Sequence, residues 1–235
     1  MRTTVLSALL AVIAVFTFIS CESNEEKIVK DYLSTIKNED GSTTKIKLGK
    51  YKFHSFEEIA VDGKYVYSLV EDGIGISKDS ILGILKKDID EKNRGLLLSA
   101  IFFKRSLNCG VYEWRQEMEY KEKSDDNWDA FTSYNTKAKL MGKIYTNYDN
   151  QSFCLLKATY DYKIGDVDTQ NITKYFVYDK ANDKILKQFD SLDEDFLEYY
   201  FDSLDEVDIE SYNDFKFNYE QLLDKPLEEL VKLVK

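Results

Sequence analysis

The feature that most constrains the fold is a series of segments between residues 109 and 188 in which large and charged side chains alternate. In residues 112–120 the large side chains stand at 112, 114, 118 and 120, with charged side chains at the odd positions between them. A period of two is typical of a strand with one buried face. Residues 137–144 and 154–162 alternate in the same way, and residues 175–178 and 184–186 flank a segment that favours a hairpin turn. Successive strands without long connections predict an antiparallel sheet.

Helical signals precede these segments. Ser23 and Glu26 have the spacing of a capping box, and apolar residues then recur at helical intervals as far as Ile36. Residues 77–90 predict a second helix, because capping residues stand at its start and Ile81 begins an apolar series with a spacing of four.

Two further segments have less uniform patterns. Residues 43–70 favour a hairpin or meander of strands, since Ile46 and Leu48 alternate with lysines and residues 65–70 are rich in β-forming side chains. Residues 96–107 are apolar enough for a buried helix or a buried strand, and their periodicity does not decide between the two.

Together these patterns predict an α+β fold: an N-terminal helix plus helical turns packed on a curved antiparallel sheet, with an acidic helical C-terminal tail. This order of elements resembles that of the cystatin-like and NTF2-like α+β proteins found among exported bacterial proteins. The resemblance implies a cone-shaped sheet wrapped around a helix. It also implies that a ligand can bind in the cavity between them.

The C-terminal tail, residues 189–235, differs in charge from the rest of the chain. Residues 190–224 hold 13 acidic side chains and one lysine, whereas the whole chain has a net charge of −11. The hexapeptide at 189–194 returns at 201–206, and in each copy a Ser stands three residues before a Glu, which favours a capped helix. We expect helices that pack their apolar side chains on the sheet; the alternative is a Ca²⁺ site or a surface for a basic partner. The apolar residues are Leu192, Phe196, Tyr199, Leu204 and Val207, and Pro226 is expected to start a final amphipathic helix.

The first residues of the chain are typical of a secretory signal. Arg2 precedes an uncharged run of 15 residues, 5–19, which is shorter than the roughly 20 residues of a membrane-spanning helix. The following Phe18-Ile19-Ser20-Cys21 resembles the lipobox of bacterial lipoproteins, with Phe18 where Leu is usual. An ordinary signal peptide cleaved nearby is the alternative.

The lipoprotein resemblance implies a location and a set of boundaries. Residues 1–20 would be a cleaved signal peptide, and Cys21 would carry fatty acyl chains that anchor the protein in the bacterial cell envelope, at the outer membrane in a Gram-negative organism. The acidic tail sets a further boundary, so residues 21–188 would form the α+β domain and residues 189–235 an extension packed on it.

The number of cysteines is consistent with an exported protein. If Cys21 carries lipid, Cys109 and Cys154 remain as an even pair in a chain that leaves the reducing cytoplasm, which predicts a disulfide between them. The alternative is two buried free thiols.

Catalytic and cofactor motifs are sparse. The sequence contains no His-Glu-x-x-His, no Cys-x-x-Cys and no Walker-type motif, and its single histidine, His54, stands between aromatic residues. Asp166 and Asp168 begin a calcium-loop pattern, but Gln170 occupies the third ligand position, so they are weak metal candidates. We therefore predict no catalytic residue, no metal and no cofactor.

Three functions remain. The preferred one is a non-catalytic module, held at the membrane by an acyl anchor, that binds an envelope protein, a peptide or a glycan. The second is a structural or assembly subunit of an envelope complex that docks through the acidic tail. The third is a hydrolase that uses two carboxylates roughly 5 to 10 Å apart in a deep pocket. A nucleic-acid partner is not expected, because the chain is acidic and exported.

Overall fold

The computed structural model of the chain describes residues 23–37, 43–45, 50–70, 75–164, 167–213 and 217–234. It combines helices with a four-stranded antiparallel sheet, so the predicted α+β class is confirmed. The chain divides into two compact units. The sheet unit extends to Ala60 and resumes over Phe153–Leu192, and the helical unit comprises Val61–Ser152 and Asp193–Lys235.

The described part of the sheet unit starts with a helix and contains two sheets. Strands β1 and β2 form a two-stranded antiparallel pair, and β3 to β6 form the larger sheet in the order β3-β4-β5-β6. Its elements are α1 (Asn24–Leu33), β1 (Thr35–Lys37), β2 (Thr43–Lys45), β3 (Lys50–Val61), β4 (Phe153–Ile164), β5 (Val167–Asp179) and β6 (Lys184–Phe189).

The start of α1 is the one that the capping signal predicts. The Ser23 hydroxyl accepts a hydrogen bond from the Glu26 N–H at 3.2 Å. The helix ends at Leu33, whereas the sequence pattern extended it to Ile36, which lies in β1. Val29 is fully buried against the sheet and forms a core with Leu156, Ala158, Tyr160, Phe176 and Ile185.

Two of the predicted strand regions are confirmed in this unit. Residues 154–162 lie in β4, and the predicted hairpin is formed by β5 and β6 around a turn at 180–183. Of the earlier predicted strands, Ile46 and Leu48 lie outside the described residues.

The helical unit is built around two long antiparallel helices. Its elements are α2 (Gly63–Val70), α3 (Lys78–Leu107), α4 (Trp114–Thr146), α5 (Glu194–Asp202), a 3₁₀ turn (Ile209–Tyr212), α6 (Tyr219–Asp224) and α7 (Leu227–Leu233). The cap of α3 is confirmed, because the Ser77 hydroxyl accepts the Ser80 N–H at 3.1 Å. The helix continues to Leu107, so residues 96–107 are helical. Among the described residues, no helix has the length and hydrophobicity to cross a membrane.

Helix α4 replaces two strands that the alternation predicted. Residues 114–120 and 137–144 lie at its two ends, residues 112 and 113 precede it, and both strand predictions are wrong. Its buried positions include Ser124, Ala138 and Met141, whose spacing follows the helical period along the face toward α3. In residues 112–120 the alternating large side chains are not buried, so their pattern does not report a core face.

Helix α2 replaces the strand predicted at 65–70. The Asp62 carboxylate accepts the Tyr65 N–H at 2.7 Å, so Asp62 caps this helix. The helix buries Val66 and Tyr67, and tertiary packing here overrides the β preference of the residues.

The tail is helical, but its repeat does not build two equivalent helices. Asp193, not Ser191, caps α5, since its side chain accepts the Asp195 N–H at 3.2 Å. Ser203 in the second copy lies at the end of α5 and donates to the Tyr200 carbonyl. Val207, which was predicted to pack on the sheet, packs on a buried cluster of the helical unit. The final helix begins directly after Pro226, as predicted.

Candidate functional site

The candidate site is a pocket in the helical unit, formed by α3, α4 and the start of α6. Its volume is about 430 Å³, which is within the range of small-molecule sites. Its described lining residues are Lys92, Leu96, Trp128, Phe131, Asn135, Phe217, Asn218, Tyr219 and Glu220.

Aromatic rings form one wall of this aromatic pocket. The Trp128 ring lies 5.1 Å from that of Phe131 and 5.0 Å from that of Tyr219, the second pair in an edge-to-face arrangement. The Trp128 side chain retains 41% of its accessible surface, so part of the indole is open to a ligand. Mutual ring contacts hold the aromatic side chains in place before any ligand binds.

Helical spacing explains how α4 presents its part of the pocket. Trp128, Phe131 and Asn135 are three and four residues apart, so they share one face of α4. On α3 the spacing of four likewise brings Lys92 and Leu96 together.

Asn218 positions the part of the pocket that comes from α6. Its side-chain oxygen accepts the Glu220 N–H at 2.9 Å and the Gln221 N–H at 3.3 Å, which caps α6 and places Tyr219 at the pocket. Because only the oxygen is used in the cap, the amide nitrogen provides a donor for a ligand.

Lys92 contributes a buried charge that is already paired. It is 7% exposed and forms an ion pair with Glu210 from the 3₁₀ turn. Its Nζ lies 6.0 Å from the centre of the Phe131 ring. The pairing compensates the lysine charge, so the pocket does not present an unpaired cation here. Glu220 is the one carboxylate among the described residues that line the pocket.

The structure places the predicted cysteines in different units. Cys109 lies in the helical unit and Cys154 on β4 of the sheet unit, and both are free thiols. Burial is the main cause that raises the pKa of Cys154 to about 11, which makes it a poor nucleophile at neutral pH. A disulfide between the two stays a prediction.

The side chains of the other predicted site residues are not among those that the structure describes. Cys21 and Asp166 lie outside the described residues, and for Asp168 only the strand backbone is described. Over the described ranges, no group of three or more His, Cys, Asp or Glu side chains is arranged to hold a metal.

His54 takes part in a polar contact on the sheet. Its Nε2 lies 2.8 Å from an Asp161 carboxylate oxygen, and the other oxygen accepts the Asn171 N–H at 2.8 Å. These two partners, the Asn171 N–H first, lower the pKa of Asp161. The contact joins β3 to the β4–β5 ladder near Tyr160, where the register of the ladder is irregular. His54 therefore has a structural role.

Sequence reasoning did not identify any residue that lines the aromatic pocket. The spacing of Trp128, Phe131 and Asn135 was an available signal, but it was interpretable only once α4 was known to be a helix. Comparison with known proteins found no matching family model, no matching curated protein and no matching solved structure. The function is therefore inferred from the pocket itself.

Proposed function

We propose that this chain is a lipid-anchored protein of the bacterial cell envelope that binds a glycan in the aromatic pocket and does not cleave it. The supporting observation is the combination of rings and amides around one cavity: Trp128, Phe131 and Tyr219 beside Asn135 and Asn218. The C–H face of a sugar ring packs on an aromatic ring, while its hydroxyl groups exchange hydrogen bonds with amides. Each asparagine amide carries both donors and an acceptor.

The charges at the pocket favour a neutral saccharide. Lys92 is compensated by Glu210, so it offers little attraction to an anionic group. Glu220 is the single acidic residue among the described lining residues, whereas glycoside hydrolysis typically uses two carboxylates. This favours binding without hydrolysis and does not support the hydrolase hypothesis at this pocket.

The two tryptophans of the chain provide a direct test. Trp114 and Trp128 both lie on α4, about 20 Å apart along its axis. In a Trp114→Phe variant, Trp128 is the only tryptophan and its emission reports the pocket. Residues 22–235, which contain every element described above, would be screened on an array of bacterial envelope oligosaccharides and then titrated with the strongest binder.

We expect a saturable change in Trp128 emission. Tyr219→Ala should weaken binding about tenfold or more, because a ring of the wall is lost, which corresponds to about 1.4 kcal/mol. The control Leu186→Ala, at an exposed position of the sheet unit, should bind as the parent does. Circular dichroism establishes that each variant is folded. If the folded parent binds no saccharide on the array, the glycan proposal is wrong.

A further inference from the structure

A second surface of the helical unit has features of an interaction site. It is the hairpin tip, defined here as residues 103–118, where α3 ends and α4 begins. Six large apolar side chains are exposed there: Phe103 (36%), Leu107 (66%), Val111 (92%), Tyr112 (97%), Trp114 (58%) and Met118 (62%).

The hairpin tip extends beyond the packed core of its unit. Ser106 on α3 and Ser124 on α4 are buried, and each residue from 107 to 123 is exposed or partly exposed. The segment from Trp114 to Ser124 spans about 15 Å of helix. The apolar side chains of the tip therefore do not fill the core, and a cluster of this kind on a surface marks an interaction site.

The exposed side chains of the tip fall on both helices and on the turn between them. Phe103 and Leu107 are four residues apart on one face of α3, and Trp114 and Met118 are four residues apart on one face of α4. The two remaining residues of the set occupy the turn that joins these helices. The end of the hairpin is thus covered by large apolar groups.

Basic residues accompany the apolar ones. Within the described part of the chain, no carboxylate lies within ion-pair distance of Lys104, Arg105 or Arg115. The acidic residues of the tip are used locally: Glu113 accepts the Gly110 N–H at 2.8 Å, and Glu117 pairs with Lys121 at 2.5 Å. Residues 103–118 hold three basic and two acidic side chains, so the tip has a net charge of +1 on a chain whose net charge is −11.

We propose that the hairpin tip inserts into the headgroup region of a bilayer that contains anionic lipids. Trp and Tyr are the side chains enriched at the membrane–water interface, and Lys and Arg are attracted to anionic headgroups. The Arg115 guanidinium lies 5.3 Å from the centre of the Trp114 ring, so an indole and a cation are held together at the tip. This contact requires neither an acylated Cys21 nor a glycan, and it is separate from the proposed function.

Trp114 can report the insertion when Trp128 is replaced. The Trp128→Phe variant of residues 22–235 lacks Cys21, so no acyl chain contributes to binding. It would be mixed with vesicles of phosphatidylcholine alone or of phosphatidylcholine and phosphatidylglycerol in equal parts. The phosphatidylcholine would be used with and without bromine on its acyl chains, because bromine quenches a nearby indole.

We expect a blue shift of Trp114 emission and quenching by brominated lipid on the vesicles with phosphatidylglycerol. Binding to phosphatidylcholine alone should be about tenfold weaker or more, and added salt should weaken binding to the anionic vesicles. Replacing Val111 and Tyr112 by Ser should reduce binding to both vesicles. The matched control replaces Leu233 and Val234 by Ser, since these residues are also apolar and about 45% exposed but lie at the end of the chain.

Three results would overturn the inference. The first is no binding to either vesicle by the folded protein, and the second is binding without quenching of Trp114, which places the contact elsewhere. The third is a blue shift that grows with protein concentration in the absence of lipid, which identifies a second copy of the chain as the partner. The glycan test depends on Trp128, so failure of one proposal is distinguishable from failure of the other.

Discussion

At the scale of single residues, the Asp161 carboxylate illustrates how the sheet positions a charge. It accepts hydrogen bonds from the Asn171 backbone, ten residues further along the chain, and from His54 on β3. Asn171 has a φ of 52°, a left-handed conformation that Asn adopts more readily than most residues. The aromatic residues around His54 in the sequence did not indicate its partner, and the role of Asp161 required the register of β4 against β5.

The lowered pKa of Asp161 predicts a pH-dependent contribution to stability. The folded-state pKa lies below the ordinary value of about 3.9. The charged carboxylate therefore stabilises the fold at pH values above this ordinary pKa. The contribution is lost as the pH falls through the folded-state pKa. We expect Asp161→Asn to lower the melting temperature at about pH 6, and this effect should shrink as the pH falls through the folded-state pKa of Asp161. A difference that is constant across this range would contradict the prediction.

At the scale of elements, α4 is the clearest case in which a local pattern misled. Its first turns contain the ion pairs Glu117–Lys121 and Glu119–Lys123, which have the i, i+4 spacing of a helix surface. Alternating large and charged residues suggested a strand because burial was assumed for the large ones. Trp114 and Met118 are exposed, so the alternation carries no information about a core.

The crossing of α3 and α4 at Gly95 predicts a strong effect of a single methyl group. A Cβ at Gly95 would lie 2.9 Å from the Phe131 nitrogen and 3.0 Å from the Asn127 carbonyl oxygen, both backbone atoms of α4. Gly95→Ala should therefore reduce the free energy of unfolding by about 1–3 kcal/mol, as measured by urea denaturation.

A matched control lies in the same helix. At Gly83 a Cβ would meet nothing within 4 Å, so Gly83→Ala should raise the free energy of unfolding by about 0.5–1 kcal/mol through helix propensity alone. If both substitutions change the free energy of unfolding in the same direction, the inference that the two helices approach closely at Gly95 is wrong.

At the scale of the whole molecule, acidic charge is concentrated in the tail, but part of it is compensated by lysines of the long helices. Glu210 pairs with Lys92, and Glu206 lies 3.5 Å from Lys143. Lys143 also donates to the Phe201 carbonyl at 2.9 Å, so a single lysine contacts two parts of the tail. These contacts indicate an internal role for part of the tail charge.

The proposed anchor predicts the distribution of the whole protein between cell fractions. The wild-type chain should appear in the membrane fraction and incorporate labelled palmitate, whereas Cys21→Ala should incorporate none, because the acceptor thiol is absent. Immunoblotting of fractions and autoradiography measure both quantities. Cys154→Ala is the matched control and should keep the label. A wild-type chain without label would contradict the anchor.

The sequence alone determined the features that depend on neighbouring residues. The cap at Ser23, the cap at Ser77 and the β5–β6 hairpin are local, because their hydrogen bonds or turns join residues close in the chain. The α+β class followed from these signals, although some elements behind it were assigned to the wrong type.

Only the tertiary structure decided the rest. The aromatic pocket combines Lys92, Trp128 and Tyr219 from three distant segments, and the exposure of the hairpin tip depends on where the core ends. The physical reason is the same in both cases. Burial depends on which helices pack together, and a sequence pattern gives the spacing of side chains but not the surface against which they pack.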